Sequence, residues 1–367
     1  MKKIDKVIIS GGGTGGHIFP AIAIANEIKK QNPEADILFV GAEGKMEMEK
    51  VPQAGYKIIG LPIRGLQRKF TLSNFSLPFK IIKSLLKARK TIIKFQPQIV
   101  IGVGGYASGP TLLAASWRKI PTIIQEQNSF AGKTNIILGK KAHKICVAYA
   151  GLEQFFSENK IVITGNPVRH EVVDINGKKE IALQKFNFTT AKKTVLVIGG
   201  SLGARTINNA LLKYIHLFQK EEIQVIWQCG KLYKSALEEK LKQLPKDGLI
   251  LTDFIADMDL AYAAADIVIS RAGAISVSEL CMVGKPTILV PSPNVAEDHQ
   301  THNAVALVNE QAAILIKDKN AVEQLVPSAI DLILNSKQQK ELSSNITKLA
   351  KPNATRDIVN TLNEVLV

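Results

Sequence analysis

The stretch VIISGGGTGGH, residues 7–17, decides how the rest of the chain is read. A short apolar run, Val7–Ser10, stops at a string of glycines, and a helical pattern follows at Ile18–Lys30. Strand, glycine turn and helix start together bring backbone N–H groups to one point where an anion can sit. A single glycine loop serves equally well as a tight βα turn. The same arrangement recurs, however. Gly104-Gly105-Tyr106-Ala107-Ser108-Gly109 follows the apolar run Ile99–Gly102, and Gly199-Gly200-Ser201-Leu202-Gly203-Ala204-Arg205 follows Thr194–Ile198. A fourth turn, Ser270–Glu279, again passes from strand to helix start. Four such turns place binding groups on one rim of each sheet.

Working outward, short β-branched runs alternate with helical stretches, the pattern of buried parallel strands with crossover helices. One series comprises 7–10, 37–40, 99–102, 122–124, 145–147 and 161–164. A second comprises 194–199, 224–227, 249–252, 266–270, 287–290 and 313–316. The restart at Thr194 predicts two α/β domains. They span residues 1–165 and 166–352, joined near Gly165-Asn166-Pro167, and a final helix over about 353–367 crosses back to the first. Facing rims would form a cleft.

The 367 residues fit roughly two domains. With 46% hydrophobic and 22% charged residues the chain is globular rather than disordered. No apolar run reaches the ~18 residues of a membrane span, and the opening MKKIDKVIIS is not a signal peptide. Three scattered cysteines exclude a disulfide framework and a Cys-rich zinc site, and fit a reducing compartment. The charge is lopsided: residues 1–166 carry 24 basic and 10 acidic side chains, residues 167–367 carry 23 and 22. No acid stands between Glu49 and Glu126. The first half therefore expects an anionic partner, a membrane surface or a nucleic acid. Within 70–95 the cations are interleaved with Phe75, Leu77, Phe79, Ile82, Leu85, Leu86 and Ile92, the composition of an interfacial patch. Phe75, Phe79 and Trp117 are its expected exposed members; the rest suit a helical core face. No recognisable nucleic-acid motif accompanies the basic stretch, so no nucleic acid is expected.

Eight motifs in chain order carry a resemblance: GGTGGHIFPA (12–21), GGYAS (104–108), EQN (126–128), GNPVR (165–169), GGSLGA (199–204), FIADM (254–258), RAGAISVSE (271–279) and DHQTHNA (298–304). Together they resemble the bacterial N-acetylglucosaminyltransferases of peptidoglycan synthesis, the MurG family, across nearly the whole chain. The resemblance implies a GT-B fold, two Rossmann-like domains with parallel sheets facing across a cleft. It implies inverting transfer of GlcNAc from UDP-GlcNAc to the 4-hydroxyl of MurNAc in lipid I (undecaprenyl-pyrophosphoryl-MurNAc-pentapeptide), giving lipid II and UDP. It further implies no obligatory metal or cofactor, peripheral attachment to the cytoplasmic face of the inner membrane, and partners among cell-wall synthesis and division proteins. One departure is visible: Gln125 stands where the family often has His before Glu-Gln-Asn.

Residue by residue, the resemblance implies the following roles. His17 is the candidate general base, since imidazole titrates near neutrality; its plainer role is a hydrogen bond to phosphate. Glu126 is the rival base, or it orients Asn128. Thr14, Gly15, Gly16 and Asn128 match donor contacts made across the cleft. Gly104, Gly105, Tyr106 and Ser108 match the acceptor loop. Arg169 and Ser201 match donor-phosphate contacts, Arg169 through a guanidinium that suits phosphate oxygens. The backbone of Ile255 matches the uracil contact. Ala274, Ile275, Ser276, Val277 and Ser278 place a helix N-terminus at the phosphates, and Glu279 accepts from the ribose hydroxyls. Gln300 reads the sugar, supported by Asp298 and Asn303. Asp257-Met258-Asp259 has the spacing of a metal-nucleotide motif, but it precedes a helical stretch where acids complement the dipole, so no metal is expected there. Rival readings are a GT-B transferase for another lipid, a UDP-GlcNAc epimerase of similar fold, and a nucleic-acid-binding module.

Overall fold

The structure is a computed structural model that describes residues 4–64, 77–200, 202–243 and 247–366. The chain divides into two compact units, Met1–Val168 with Asn353–Val367, and Arg169–Pro352.

The first unit carries seven strands: β1 (Lys6–Ser10), β2 (Asp36–Ala42), β3 (Lys57–Leu61), β4 (Ile99–Gly102), β5 (Thr122–Glu126), β6 (Lys144–Val147) and β7 (Ile161–Ile163). They form one parallel sheet in the order β3-β2-β1-β4-β5-β6-β7. Parallel neighbours cannot be joined by hairpins, so helices cross over and cover both faces. The alternation along each strand shows this. Val7, Ile9, Ile37, Phe39, Ile99 and Ile101 pack on one face with Ile24 and Ile28 of the helix Gly15–Gln31. Ile8, Leu38, Val40 and Val100 pack on the other with Ala88 and Ile92 of the helix Leu77–Phe95. The late helix Ala354–Val365 belongs to this unit: Ile358, Val359 and Leu362 are buried in the first of these faces.

The second unit has β8 (Thr194–Ile198), β9 (Gln224–Gln228), β10 (Leu249–Thr252), β11 (Ile267–Ser270), β12 (Thr287–Leu289) and β13 (Ile314–Leu315). They too are all parallel, in the order β10-β9-β8-β11-β12-β13. Each unit thus has the Rossmann order, in which the chain reverses direction across the sheet between its first and fourth strands. Ligands of such sheets bind outside the strand C-termini at that reversal.

Two sequence expectations need correction. The strand β3 and the helix Glu47–Gln53 before it were not anticipated. The presumed join at Gly165-Asn166-Pro167 lies inside the first unit. Gly165 N–H donates to the Val147 carbonyl at 3.1 Å, and Asn166 is held by the side chain of Gln125 and the carbonyl of Gln127. Those bonds anchor the segment to β5 and β6 and move the break to Val168/Arg169.

Candidate active site

The four glycine loops occupy the two reversal points. In the first unit they follow β1 and β4, which are adjacent. In the second they follow β8 and β11, also adjacent.

In the first unit the β1 and β4 loops touch. A Cβ on Gly105, at φ +85°, would lie 2.3 Å from the Gly12 carbonyl oxygen, so only glycine fits. A Cβ on Gly104, at φ +89°, would lie 2.6 Å from Cδ2 and 2.8 Å from Nε2 of His17. The imidazole of the first loop therefore lies over the backbone of the second. His17 Nδ1 is 3.1 Å from the Gly12 carbonyl oxygen and 3.2 Å from Thr14 Oγ1. A carbonyl only accepts, whereas a hydroxyl can rotate to accept, so both contacts are met only with the proton on Nδ1. This tautomer, assigned from the contacts, leaves the lone pair on Nε2, the nitrogen a general base needs.

Glu126, at the end of β5, is 2% exposed. Its Oε1 accepts from Asn128 N–H at 3.1 Å and Asn128 Nδ2 at 3.3 Å. Its Oε2 accepts from Gly132 N–H at 3.1 Å and Asn135 Nδ2 at 2.8 Å. Four donors converge on one buried carboxylate, so the second of its two expected roles is the one the geometry offers: it orients Asn128 and the loop after it. Gln125 is fully buried; its Nε2 donates to Asn166 Oδ1 at 2.9 Å and its Oε1 accepts from Gln127, whose Nε2 also donates to the Val103 carbonyl at 2.8 Å. The departure at Gln125 thus lies in an amide network under the loops. Tyr106 is exposed, while Ser108 is buried and donates its hydroxyl to the Gly105 carbonyl at 2.7 Å. That bond spends the Ser108 proton on the loop's own backbone, so what the hydroxyl keeps to offer is an acceptor oxygen.

In the second unit the helix Ala274–Val283 starts after β11 with Gly273 as an uncapped N-terminus. Its first N–H groups, at Ala274, Ile275 and Ser276, have no intrahelical acceptor and sit at the positive end of the helix dipole. Val277 and Ser278 complete this first turn with bonds inside it. Val277 N–H is spent on the Gly273 carbonyl and its side chain is core, and Ser278 Oγ donates to the Ala274 carbonyl at 3.0 Å. Glu279, one turn on, accepts from the Tyr262 hydroxyl at 3.3 Å and lies 3.9 Å from Arg169. Burial pushes its carboxyl above the ordinary range, partly offset by the Arg169 charge and the Tyr262 bond. Three expected donor residues, Arg169, Glu279 and the helix N-terminus, are therefore grouped. Ser201 lies outside the described residues. Ile255 is buried, which leaves its backbone as the part that can meet a ligand. Gln300 Oε1 accepts from Ser292 N–H at 2.8 Å, so its NH2 end is the one to offer. Asn303 is buried and holds the Ala272 carbonyl at 3.2 Å, while Asp298 accepts from Thr301 Oγ1 at 2.8 Å.

Sequence reasoning missed the buttresses. Arg271 donates to the carbonyls of Val290 and Pro291 at 3.0 and 3.1 Å and to Asp318 Oδ1 at 2.6 Å, and Asp318 Oδ2 accepts from Thr206. This ties the β11 loop to the helix Arg205–Lys220. In the first unit Glu47 accepts from Gly13 N–H at 2.8 Å and Ala42 N–H at 2.9 Å. Asp257 pairs with Lys185, and Asp259 with Lys178 at 2.8 Å. For Asp259 burial opposes ionisation, but the Lys178 and Leu260 hydrogen bonds outweigh it and hold the carboxyl below its ordinary range. Among the described residues no group of three or more His, Cys, Asp or Glu is placed to hold a metal ion. The cysteines are buried, and burial pushes the thiols of Cys146 and Cys281 up to about 12, which makes them poor nucleophiles at neutral pH.

Residues 7–147 match the glycosyltransferase family 28 N-terminal domain and residues 194–361 its C-terminal domain. The chain belongs to glycosyltransferase family 28. A relative from Bacteroides fragilis named UDP-N-acetylglucosamine–N-acetylmuramyl-(pentapeptide) pyrophosphoryl-undecaprenol N-acetylglucosamine transferase is 56% identical over 353 residues, covering 95% of this chain and 92% of the relative. A protein of the same name from Parabacteroides distasonis is 55% identical, with 98% of each covered. The crystal structure of Acinetobacter baumannii MurG superposes with a TM-score of 0.79 at 28% identity, covering 98% of this chain and 99% of that one. This family 28 glycosyltransferase has the GT-B fold class that the sequence led us to expect.

The helix Leu77–Phe95 presents its apolar residues in two sets. Ala88 and Ile92 are core, whereas Phe79 (76% exposed), Ile82, Leu86 (61%) and Ile93 form an outward stripe; Trp117 is also exposed, at 58%. Lys80, Lys83, Lys87, Arg89, Lys90 and Lys94 share this helix. The other expected member, Phe75, lies outside the described residues. Among the described residues no helix is long and apolar enough to cross a membrane.

Proposed function

We propose that this transferase moves GlcNAc from UDP-GlcNAc to the 4-hydroxyl of MurNAc in lipid I, with inversion. The observation that carries the reading is His17, whose ring lies against the second glycine loop of the first unit while its Nδ1 is held at the Gly12 carbonyl, which makes Nε2 the basic nitrogen. The acceptor O–H gives its proton to that nitrogen as the oxygen forms the new bond to the sugar C1. The bond from C1 to the UDP oxygen breaks on the opposite face, and the charge passes to the diphosphate. The N–H groups of Ala274, Ile275 and Ser276, Arg169 and Ser201 stabilise that charge. Glu279 holds the ribose, the Ile255 backbone the uracil and Gln300 the sugar. Thr14, Gly15, Gly16 and Asn128 add donor contacts. Gly104, Gly105 and Tyr106 form the acceptor loop, with Ser108 as its internal lock.

No metal and no cofactor enter this scheme, because the leaving charge is met by helix N–H groups and a guanidinium, and because Asp257 and Asp259 already face lysines. The outward stripe of the helix Leu77–Phe95, flanked by cations, suits peripheral attachment to an anionic bilayer on the cytoplasmic side, where the lipid-linked acceptor lies. Cell-wall synthesis and division proteins would be neighbours there.

The test is transfer of radiolabelled GlcNAc from UDP-GlcNAc to a lipid I analogue with and without EDTA. Equal product in both is expected. Loss with EDTA alone would restore the metal reading of Asp257 and Asp259. Bound UDP-GlcNAc without product would point to another lipid acceptor or to an epimerase.

A further inference from the structure

We infer that Glu47 is the positioning residue for His17, acting through the single peptide group that joins Gly12 to Gly13. The inference rests on the reading of His17 as the base. Both ends of that peptide are engaged. Its N–H, on Gly13, donates to Glu47 Oε2 at 2.8 Å, and its carbonyl, on Gly12, faces His17 Nδ1 at 3.1 Å. The order is carboxylate, peptide, imidazole. An anion at the N–H end polarises the amide and makes its oxygen a stronger acceptor, because bonds in a chain reinforce one another away from water. The stronger acceptor holds the proton on Nδ1 and keeps Nε2 as the lone-pair nitrogen. A carboxylate performs the same service for many imidazoles by direct contact; here one amide stands between.

A glutamate at the first residue of a helix ordinarily sits in water and complements the dipole. Glu47 opens the helix Glu47–Gln53, yet it is 1% exposed. The chain makes room for it with glycine. A Cβ on Gly12, at φ +150°, would lie 2.2 Å from Glu47 Oε1, and one on Gly41 would lie 2.5 Å from its Cγ. Its other oxygen bond, from Ala42 N–H at 2.9 Å, fixes the carboxylate to the end of β2. Among the described residues no lysine or arginine forms an ion pair with it. Burying an unpaired carboxylate is costly and a core packs as well without one, so its place against the loop that carries His17 points to function.

The test uses the full-length enzyme labelled with 15N-histidine, the His17 signals being identified by their loss in His17→Gln. In the wild type, His17 Nε2 should resonate as an unprotonated, imine-type nitrogen. Glu47→Gln keeps the shape but removes the charge. It should shift His17 toward the Nε2–H tautomer and lower kcat on the order of 10–100-fold, with KM for UDP-GlcNAc unchanged. A Glu47→Gln enzyme that keeps the Nδ1–H tautomer overturns the inference, whatever its turnover. A His17→Ala enzyme with normal turnover would instead remove the base reading, and the tautomer of Glu47→Gln would still decide the role of Glu47. If Glu47→Gln does not fold, the wild type decides. A protonated Nε2 on His17 overturns the inference; an imine-type Nε2 with a strongly downfield Gly13 amide proton supports it.

Discussion

Replacing Gly104 with alanine presses directly on the ring of His17. The new methyl would stand 2.6 Å from Cδ2 and 2.8 Å from Nε2 of the imidazole. Carbon atoms rest about 3.5–4.0 Å apart, so the ring must withdraw by about 1 Å. A displacement of that size at a reacting group costs about 10²-fold in rate, which is about 2.7 kcal/mol of barrier. The backbone adds its own cost, because φ is +89° at Gly104 and an alanine there loses about 1–2 kcal/mol of stability. For a unit of this size that lowers the melting temperature by about 2–4 °C per kcal/mol. Gly151→Ala is the matched control: its φ is +85° and a Cβ there meets nothing within 4 Å. Both variants should melt at similar temperatures and bind UDP as the wild type does, by calorimetry. Only Gly104→Ala should lose GlcNAc transfer, by about two orders of magnitude. If Gly104→Ala turns over as fast as Gly151→Ala, the imidazole does not depend on that loop and the placement of the base is wrong.

Glu126→Gln puts an NH2 group where either Gly132 N–H and Asn135 or the two Asn128 donors converge. Leaving such donors unmet costs about 1–3 kcal/mol each, so the variant should melt several degrees lower; an unchanged melting point with lost turnover would make Glu126 the base after all. Burial raises the Glu279 carboxyl, so the folded state holds that proton more tightly than the unfolded chain. The wild type is therefore penalised as pH rises through the raised value, and the penalty vanishes below the unfolded value of about 4.3. Glu279→Gln should accordingly melt higher than the wild type at pH 8 with the gap closing by pH 4, while UDP affinity falls on the order of 10–100-fold, the worth of a hydrogen bond to a charged acceptor; a gap that widens toward acid would contradict this. Neutralising Lys83 and Lys90 to Gln should weaken sedimentation with phosphatidylglycerol vesicles by about 1 kcal/mol each and leave binding to neutral vesicles unchanged. Equal loss on both vesicle types would deny the cations a lipid role.

The strands were legible wherever β-branched residues ran together, because buried parallel strands are apolar on both faces. The strand Lys57–Leu61 escaped since it is the sheet edge, with only Ile58-Ile59 between a lysine and a glycine. The glycine loops were legible as loops, and their pairing follows from strand order, which a linear pattern does not display. What could not be read was direction. Ser108 and Val277 lie within binding motifs, yet one hydroxyl and one side chain turn inward. Glu47 sits in the charge-rich stretch Glu43–Lys50, where nothing in the sequence signals burial; only the folded loop shows that its carboxylate is sequestered. Gln125 looked like a change at the site, and the amide network places it underneath.

The helix Ala354–Val365 is encoded after the whole second unit but completes the core of the first, where Ile358, Val359 and Leu362 cover Ile24 and Ile28. Domains tend to fold in the order in which they are synthesised. Here the earlier unit remains short of part of its apolar cover while the ribosome makes some 185 further residues, Arg169–Asn353. During that interval its exposed face is a target for chaperones. The unit bearing His17 can complete its core only once the second unit has been made, so a chain cut short before Ile358 carries that unit with one core face uncovered.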